Sequence, residues 1–162
     1  MKQDRFLLSI LVAIGLLVVV SLVLFFFRQG QQNYGPEDTP RGIVRNYVIA
    51  LQEQDFERAY GYLQEAENKP EYDLFREAFR SRQLDTSNVA VQLGEFTQNG
   101  QEAVVELSIL HTSSGLFGDV WQEEARALLV QDGAGEWKIT QMPFPYWGWD
   151  WYQESTRVAP GS

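Results

Sequence analysis

The sequence has no cysteine and a single histidine, His111. Without cysteine the chain has no disulfide, no thiolate metal site and no cysteine nucleophile. One histidine does not build a histidine-rich metal site, so we expect no metal. The sequence also lacks glycine-rich phosphate loops and dinucleotide-binding motifs, and we therefore expect no cofactor.

Basic residues are also scarce, with 13 Lys and Arg against 22 Asp and Glu. Setting aside Lys2, Arg5 and Asp4 leaves 11 basic and 21 acidic residues in the remainder, a formal charge of −10. This balance argues against a nucleic-acid partner and against close docking on anionic lipid. It favours either simple solubility or the binding of a basic partner.

One long apolar run is present, Phe6–Phe27, with 22 residues and no charge. At 1.5 Å per residue it matches a hydrocarbon core of about 30 Å, so it predicts a transmembrane helix. A cleaved signal peptide is one alternative, but its apolar stretch is usually shorter and ends at small residues rather than at Phe-Phe-Phe-Arg. A buried core helix is another, but such helices normally keep a polar face.

The basic residues near the span lean slightly toward an N-terminus inside the cell, since Lys2 and Arg5 precede it while Arg28 and Arg41 follow. We expect a single-pass protein with a cytoplasmic N-terminus and an extracytoplasmic C-terminal domain. The absence of cysteine and of Asn-x-Ser/Thr sequences suits a bacterial membrane protein. The expected boundaries are a stub at 1–5, the span at 6–27, a flexible linker at 28–38, a folded domain at 39–141 and an aromatic tail at 142–162.

The first part of the folded domain has helical periodicity. Thr39 and Asp55 are suited to cap two helices, and Glu71 begins a third. Pro40 suits the first turn of the first helix. The expected buried faces are Val44, Tyr47, Val48 and Leu51, then Phe56, Ala59, Tyr60 and Leu63, then Tyr72, Phe75 and Phe79.

The second part alternates with period two, which is typical of half-buried strands. Strands are expected around Val89–Leu93, Val105–Ile109, Val120–Val130 and Trp137–Ile139, with a hairpin turn at Gln98-Asn99-Gly100. Three helices followed by four antiparallel strands predict an α+β domain with its helices on one sheet face.

Two stretches carry a family resemblance. TPRGIVRNYVIALQEQDFERAYGYL resembles the opening of NTF2-like (cystatin-like cone) domains, and ARALLVQDGAGEWKI resembles their last hairpin. The resemblance implies three helices packed on a curved antiparallel sheet of about four strands. That family includes isomerases, cyclases, dehydratases, transport factors and secretion-machine subunits, so it implies a fold rather than an activity.

Enzymes of this family resemble one another in placing an Asp, Glu or His in the cone, often facing a Tyr. His111 shares the phase of Ile109. The adjacent Glu123 and Glu124 point to opposite faces of their strand, so one of them is a candidate for an inward-facing carboxylate. A solvent-facing charge is the alternative for that carboxylate. The candidate pocket-lining residues are Tyr47, Tyr60, Phe75, Phe79 and His111. No nucleophile, base and orienting group can be assembled from the sequence, so we expect no catalytic residues.

The tail combines prolines with aromatic residues from Pro143 to Tyr152. In an extended segment, Trp147, Trp149 and Trp151 would share one side. The tail could seal the cone, bind a partner or insert into the membrane interface. The candidates for partner or membrane contact are Tyr146, Trp147, Trp149, Trp151 and Tyr152.

These features together predict a non-enzymatic, membrane-anchored accessory or scaffold protein. The lipid bilayer would hold Phe6–Phe27, and the NTF2-like domain would bind a protein partner, possibly within a membrane complex. Its layout is similar to that of membrane-anchored subunits of secretion and conjugation machines. The alternative is a small-ligand-binding protein or an isomerase-like or cyclase-like enzyme that uses the cone pocket.

Overall fold

A computed structural model describes residues 10, 14–21, 34–112 and 119–152. The chain divides into two units, Met1–Asn33 and Tyr34–Ser162. In the first unit, residues 14–21 are helical and their apolar side chains are exposed. Within the described residues we find no helix that combines the length and apolar character needed for a membrane span. Most of the predicted span Phe6–Phe27 lies outside the described residues.

The second unit contains helices first and then a sheet, which confirms the predicted α+β class. Its four strands form one antiparallel sheet in the order β1-β2-β3-β4. The elements are α1 (Pro40–Gln52), α2 (Phe56–Gly61), α3 (Tyr72–Arg80), β1 (Val89–Asn99), β2 (Glu102–Thr112), β3 (Val120–Gln131) and β4 (Trp137–Gln141).

The predicted caps position the first two helices. The Thr39 hydroxyl accepts the N–H of Gly42 at 3.1 Å, and the Asp55 carboxylate accepts the N–H of Arg58 at 3.2 Å. These bonds satisfy N–H groups that have no partner inside a helix. α2 ends before Leu63, which instead forms a parallel bridge with Ile139 of β4.

The sheet is a meander, and its β1–β2 turn agrees with the sequence. β1 and β2 pair Asn99 with Glu102, and Gly100 between them has φ +64°, a conformation that favours glycine. A bulge interrupts the pairing between Leu93 and Phe96, and such bulges bend and twist a strand.

One face of the sheet is covered by helices and forms the core. Val105 and Ile109 of β2 are fully buried there, as are Val44 and Tyr47 of α1. Leu51 is 4% exposed. The periodicity therefore identified the buried face of α1 correctly.

The domain begins earlier than the sequence indicated. The side chain of buried Asn46 accepts the N–H of Gly35 at 2.6 Å and donates to its carbonyl oxygen at 3.1 Å. Tyr34 donates to Glu53 at 2.9 Å and lies 3.5 Å below the guanidinium of Arg58. The prediction that residues 34–38 belong to a flexible linker is wrong, because a buried amide side chain needs these partners.

Candidate functional site

The tail, residues 142–152, folds against the helix-covered face of its own domain. Tyr146 is fully buried, and its hydroxyl donates to the carbonyl oxygen of Val89 on β1 at 3.3 Å. The Tyr47 hydroxyl donates to the carbonyl oxygen of Tyr146 at 2.7 Å. Burial raises the pKa of Tyr146 to about 12, so this phenol stays neutral. The tail thus runs from the end of β4 to β1, the opposite edge of the sheet.

Two tryptophans of the tail complete an aromatic cluster with α3. The Trp151 ring centre lies 5.3 Å from that of Phe75 and 6.1 Å from that of Phe79. Trp147 lies 5.3 Å from Trp151 and stacks on Tyr152 at 5.4 Å. Edge and offset contacts of this kind favour aromatic pairs beyond simple burial. The domain therefore extends through Tyr152 and does not end at residue 141.

The three tryptophans of the tail differ in exposure, since the tail does not form the extended segment in which they would share one side. Trp147 and Trp151 are 7% and 9% exposed, whereas Trp149 is 77% exposed. The segment is turned rather than extended, with the N–H of Trp151 donating to the carbonyl oxygen of Gly148 at 3.2 Å. Of the five contact candidates, only Trp149 lies largely outside the domain, while Tyr146, Trp147, Trp151 and Tyr152 pack within it.

The four aromatic pocket-lining candidates belong to one hydrophobic cluster, with Tyr47 and Phe75 buried in it and Tyr60 and Phe79 packed against it. Tyr60 and Phe75 are 5.4 Å apart, and Phe75 and Phe79 are 5.2 Å apart. The Tyr60 hydroxyl donates to the carbonyl oxygen of Pro70 at 2.9 Å. These residues and Tyr47 are absent from the linings of three surface cavities that described residues border. Trp151 of the tail packs against Phe75 and Phe79.

His111 lies apart from that cluster, near the end of β2. Its ring stacks on Trp121 at 4.9 Å with 6° between the planes, and its Nε2 lies 3.6 Å from a Glu123 carboxylate oxygen. The register places Glu123 opposite Ile109 and Glu124 opposite Ser108, so Glu123 shares the face of His111. Among the described residues, His111 Nε2 is buried without a hydrogen-bond partner.

A second polar cluster fastens the start of the domain to α2. Arg58 forms an ion pair with Glu37 at 2.9 Å and donates to the Tyr62 hydroxyl at 2.9 Å. Tyr62 in turn donates to Glu37 at 2.7 Å. This bond from Tyr62, followed by that from Arg58, lowers the pKa of the Glu37 carboxyl. The side chains satisfy one another, which indicates a structural clamp.

An open groove lies between α3 and the tail, and we call it the α3–tail groove. Its volume is about 270 Å³. Three large apolar side chains line it while remaining well exposed: Leu74 at 65%, Phe144 at 66% and Trp149 at 77%. The complete lining is Asn68, Pro70, Leu74, Ala78, Gln83, Leu84, Phe144, Gly148, Trp149, Asp150 and Trp151.

Sequence reasoning identified Trp149 and missed Leu74 and Phe144, the two other large apolar residues that are well exposed at the groove. A signal for Leu74 was available, because it lies off the helical stripe that carries Phe75 and Phe79. Phe144 carried no comparable signal, since it stands between two prolines in a segment without periodicity. In the described part of the chain, no cluster of acidic or histidine side chains could hold a metal ion.

Comparison with known proteins yields structural likenesses only. No protein-family model matches the chain, and no curated protein matches it. A SEC-C motif-containing protein of Rhodopseudomonas palustris is 16% identical, with 66% of this chain and 79% of that chain covered and a TM-score of 0.49. A candidate ketosteroid isomerase of Shewanella frigidimarina is 16% identical, with coverage of 64% and 92% and a TM-score of 0.49.

A cystatin-fold protein of Novosphingobium aromaticivorans, itself uncharacterised, is also similar. It is 8% identical, covers 66% of this chain and 100% of its own, and gives a TM-score of 0.44. Likenesses of this strength carry no argument about activity, ligand or partner. The functional argument therefore depends on the residues of this chain.

Proposed function

We propose that the protein is a single-pass membrane protein whose NTF2-like domain lies outside the cytoplasm and binds a protein partner without catalysing a reaction. The order of helices and strands supports the fold assignment, together with the capped start at Thr39 and the buried Trp137 after the last hairpin turn. The uncharged run Phe6–Phe27 supports the anchor.

The observation that carries this proposal is the packing of the tail. Tyr146, Trp147 and Trp151 occupy the helix-covered face, where a ligand pocket in a cone-shaped domain would have to open. A ligand entering there would displace large buried aromatic side chains, each of which contributes a few kcal/mol of burial free energy. A filled interior favours a domain that acts through its surface.

The anchor is tested by fractionating membranes from cells that express the full chain. We expect the protein to remain in the pellet after a carbonate wash and to keep residues 1–28. Protease added to intact spheroplasts should digest the C-terminal domain. A mature N-terminus near residue 28 or later, or release by carbonate, would overturn the anchor.

Partner binding is tested by co-purification from detergent-solubilised membranes, with mass spectrometry of the captured proteins. The informative comparison uses a groove variant, Leu74→Ser with Trp149→Ser, and a control with Phe96→Ser and Val120→Ser. All four side chains are exposed, at 65%, 77%, 41% and 62%. We expect a protein captured by the wild type and by the control to be lost from the groove variant. Identical captures by the wild type and an unrelated membrane protein would contradict partner binding.

A second candidate function, ligand binding or catalysis on the sheet, is favoured by one observation. His111 Nε2 is buried, lacks a hydrogen-bond partner among the described residues and lies 3.6 Å from Glu123. Trp121 stacks on the same ring and is 53% exposed. Small-molecule screening by the NMR signals of the His111 and Trp121 rings tests this candidate. Ligand binding would replace partner binding as the proposed function if a ligand shifts those signals in the wild type and no longer shifts the Trp121 signals in His111→Ala.

A further inference from the structure

We propose that the α3–tail groove binds a peptide segment of the protein partner, which inserts one large apolar side chain and places a lysine or arginine beside Asp150. The inference rests on the proposed partner-binding function and specifies the chemistry of the partner.

The shape and exposure of the groove suit a peptide side chain. Its volume is about 270 Å³, at the small end of the roughly 300–1,000 Å³ that is usual for small-molecule pockets. Leu74, Phe144 and Trp149 nevertheless leave a large apolar surface in water around it. Contiguous exposed apolar surface next to a concavity is typical of protein interaction sites. A single Leu, Phe or Trp side chain matches this combination.

The floor of the groove is held in place before any partner arrives. Trp151 is fixed by Phe75 and Phe79, and Leu84 is only 5% exposed. Tyr152, next to the floor, donates its hydroxyl to the carbonyl oxygen of Gln64 at 2.5 Å and its N–H to that of Asn68 at 3.3 Å. Because little ordering is needed on binding, a short peptide can gain useful affinity there.

The charges at the groove select a basic partner. Of its eleven lining residues, Asp150 is the charged one. Its neighbour Trp149 is 77% exposed, so an apolar side chain of the partner can pack beside this carboxylate. From Tyr34 onward the chain carries 10 basic and 21 acidic residues, a formal charge of −11. This field attracts a basic segment and repels an acidic one.

The same charge balance disfavours two other occupants. Anionic lipid would be repelled by a domain of this charge, although aromatic residues do suit a membrane interface. A second copy of the chain would bring an equally acidic domain to the groove. Both occupants remain measurable outcomes of the test below.

The test begins with a peptide library displayed on phage and panned against the detergent-solubilised full chain. Binders are counter-selected on the Leu74→Ser, Trp149→Ser variant, which removes peptides that bind the micelle or another surface. We expect the enriched peptides to share a Leu, Phe or Trp adjacent to a Lys or Arg. Enrichment of acidic peptides, or enrichment unaffected by the counter-selection, would overturn the proposal.

An enriched peptide is then titrated against single variants. We expect Trp149→Ser to weaken binding about tenfold or more, as loss of an interface tryptophan does. Asp150→Asn should weaken it about three- to tenfold at low ionic strength, with a smaller effect in high salt because the interaction is screened. The control Phe96→Ser should leave the dissociation constant unchanged.

Parallel measurements separate the competing occupants. Vesicles of mixed neutral and anionic lipid, and sedimentation of the full chain in detergent, report membrane contact and self-association. If Trp149→Ser changes either of these and not peptide binding, the peptide proposal is wrong. If partners still co-purify with the groove variant, partner binding survives and this assignment of the groove fails. If no partner co-purifies but peptides with an apolar and a basic residue bind the groove, the partner-binding proposal is wrong and the groove assignment stands.

Discussion

At the scale of single residues, Gly148 shows how closely the tail is packed. A Cβ atom at this position would lie 2.5 Å from two atoms of the Trp151 indole. We therefore expect Gly148→Ala to displace that ring and to lower the free energy of unfolding by about 1–3 kcal/mol, as overpacking does. Denaturant unfolding of the full chain measures this loss.

The control for that substitution is Gly133→Ala, in the turn between β3 and β4. A Cβ atom there meets nothing within 4 Å among the described residues. We expect a change within about 0.5 kcal/mol. Equal effects of the two alanines would show that Trp151 does not pack on Gly148.

A pair of leucines tests the helix-covered core. Leu51 on α1 is 4% exposed, and Leu128 on β3 is 36% exposed. We expect Leu51→Ala to lower the free energy of unfolding by about 2–5 kcal/mol, because it leaves a cavity. The same substitution at Leu128 should cost less than about 1 kcal/mol. A loss under about 0.5 kcal/mol at Leu51 would mean that this face of α1 is exposed.

At the scale of elements, the tail offers two tryptophans two positions apart with opposite environments. Trp151 contacts Phe75, Phe79 and Trp147, whereas Trp149 is 77% exposed. We expect Trp151→Ala to lower the free energy of unfolding by about 3–5 kcal/mol and Trp149→Ala to change it by less than about 0.5 kcal/mol. Near-ultraviolet circular dichroism should lose aromatic signal mainly in the first variant.

A larger loss of stability in Trp149→Ala than in Trp151→Ala would show that the tail does not pack on its domain as described. Unchanged stability in both variants, with loss of a co-purifying protein in each, would make the whole tail an interface. The structure favours a tail that packs on its own domain, since Tyr146 also hydrogen-bonds to the carbonyl oxygen of Val89 on β1.

The segment before α1 gives a prediction about pH. Hydrogen bonds from Tyr62 and Arg58 lower the Glu37 pKa below its ordinary 4.5. A carboxylate whose pKa is lowered by folding stabilises the native state above its unfolded pKa, and this stabilisation is lost as the pH falls through the folded pKa. We expect Glu37→Gln to lower stability at neutral pH and to flatten the decline in stability as the pH falls below the ordinary carboxyl pKa of 4.5.

Denaturant unfolding at several pH values checks this expectation, and Glu57→Gln is its control. Glu57 is an exposed carboxylate on α2, the helix that also carries Arg58. A Glu37→Gln profile parallel to that of the wild type would exclude Glu37 from the acid response.

At the scale of the whole molecule, the boundary of the domain can be measured by truncation. A chain that begins at residue 39 lacks the Gly35 backbone groups that satisfy the buried Asn46 side chain. We expect it to be less stable than a chain beginning at residue 31 by about 1–3 kcal/mol, the cost of leaving a buried polar group unpaired. A chain beginning at residue 34 should match the longer one. Equal stability of all three chains would show that residues 34–38 do not contribute to the folded domain.

Local patterns anticipated most of the elements of this domain. Thr39 and Asp55 predicted the starts of two helices correctly. The alternation at Val105, Leu107 and Ile109 predicted which face of β2 is buried. These features depend on neighbours within a few residues, which the sequence displays directly. The choice between Glu123 and Glu124, which the sequence left open, was made by the register, which places Glu123 on the face of His111.

The site required long-range packing that no local pattern encodes. Nothing in the order of residues shows that Gly35 meets Asn46, that Tyr146 reaches Val89, or that Trp151 is buried while Trp149 is exposed. Each depends on which surface remains uncovered after helices and sheet have packed, and on which buried polar atoms still lack partners. By itself the sequence determined the element types, the buried faces and the acidic charge. Only the tertiary structure decided that the tail packs on the helix-covered face and that a groove is left beside it.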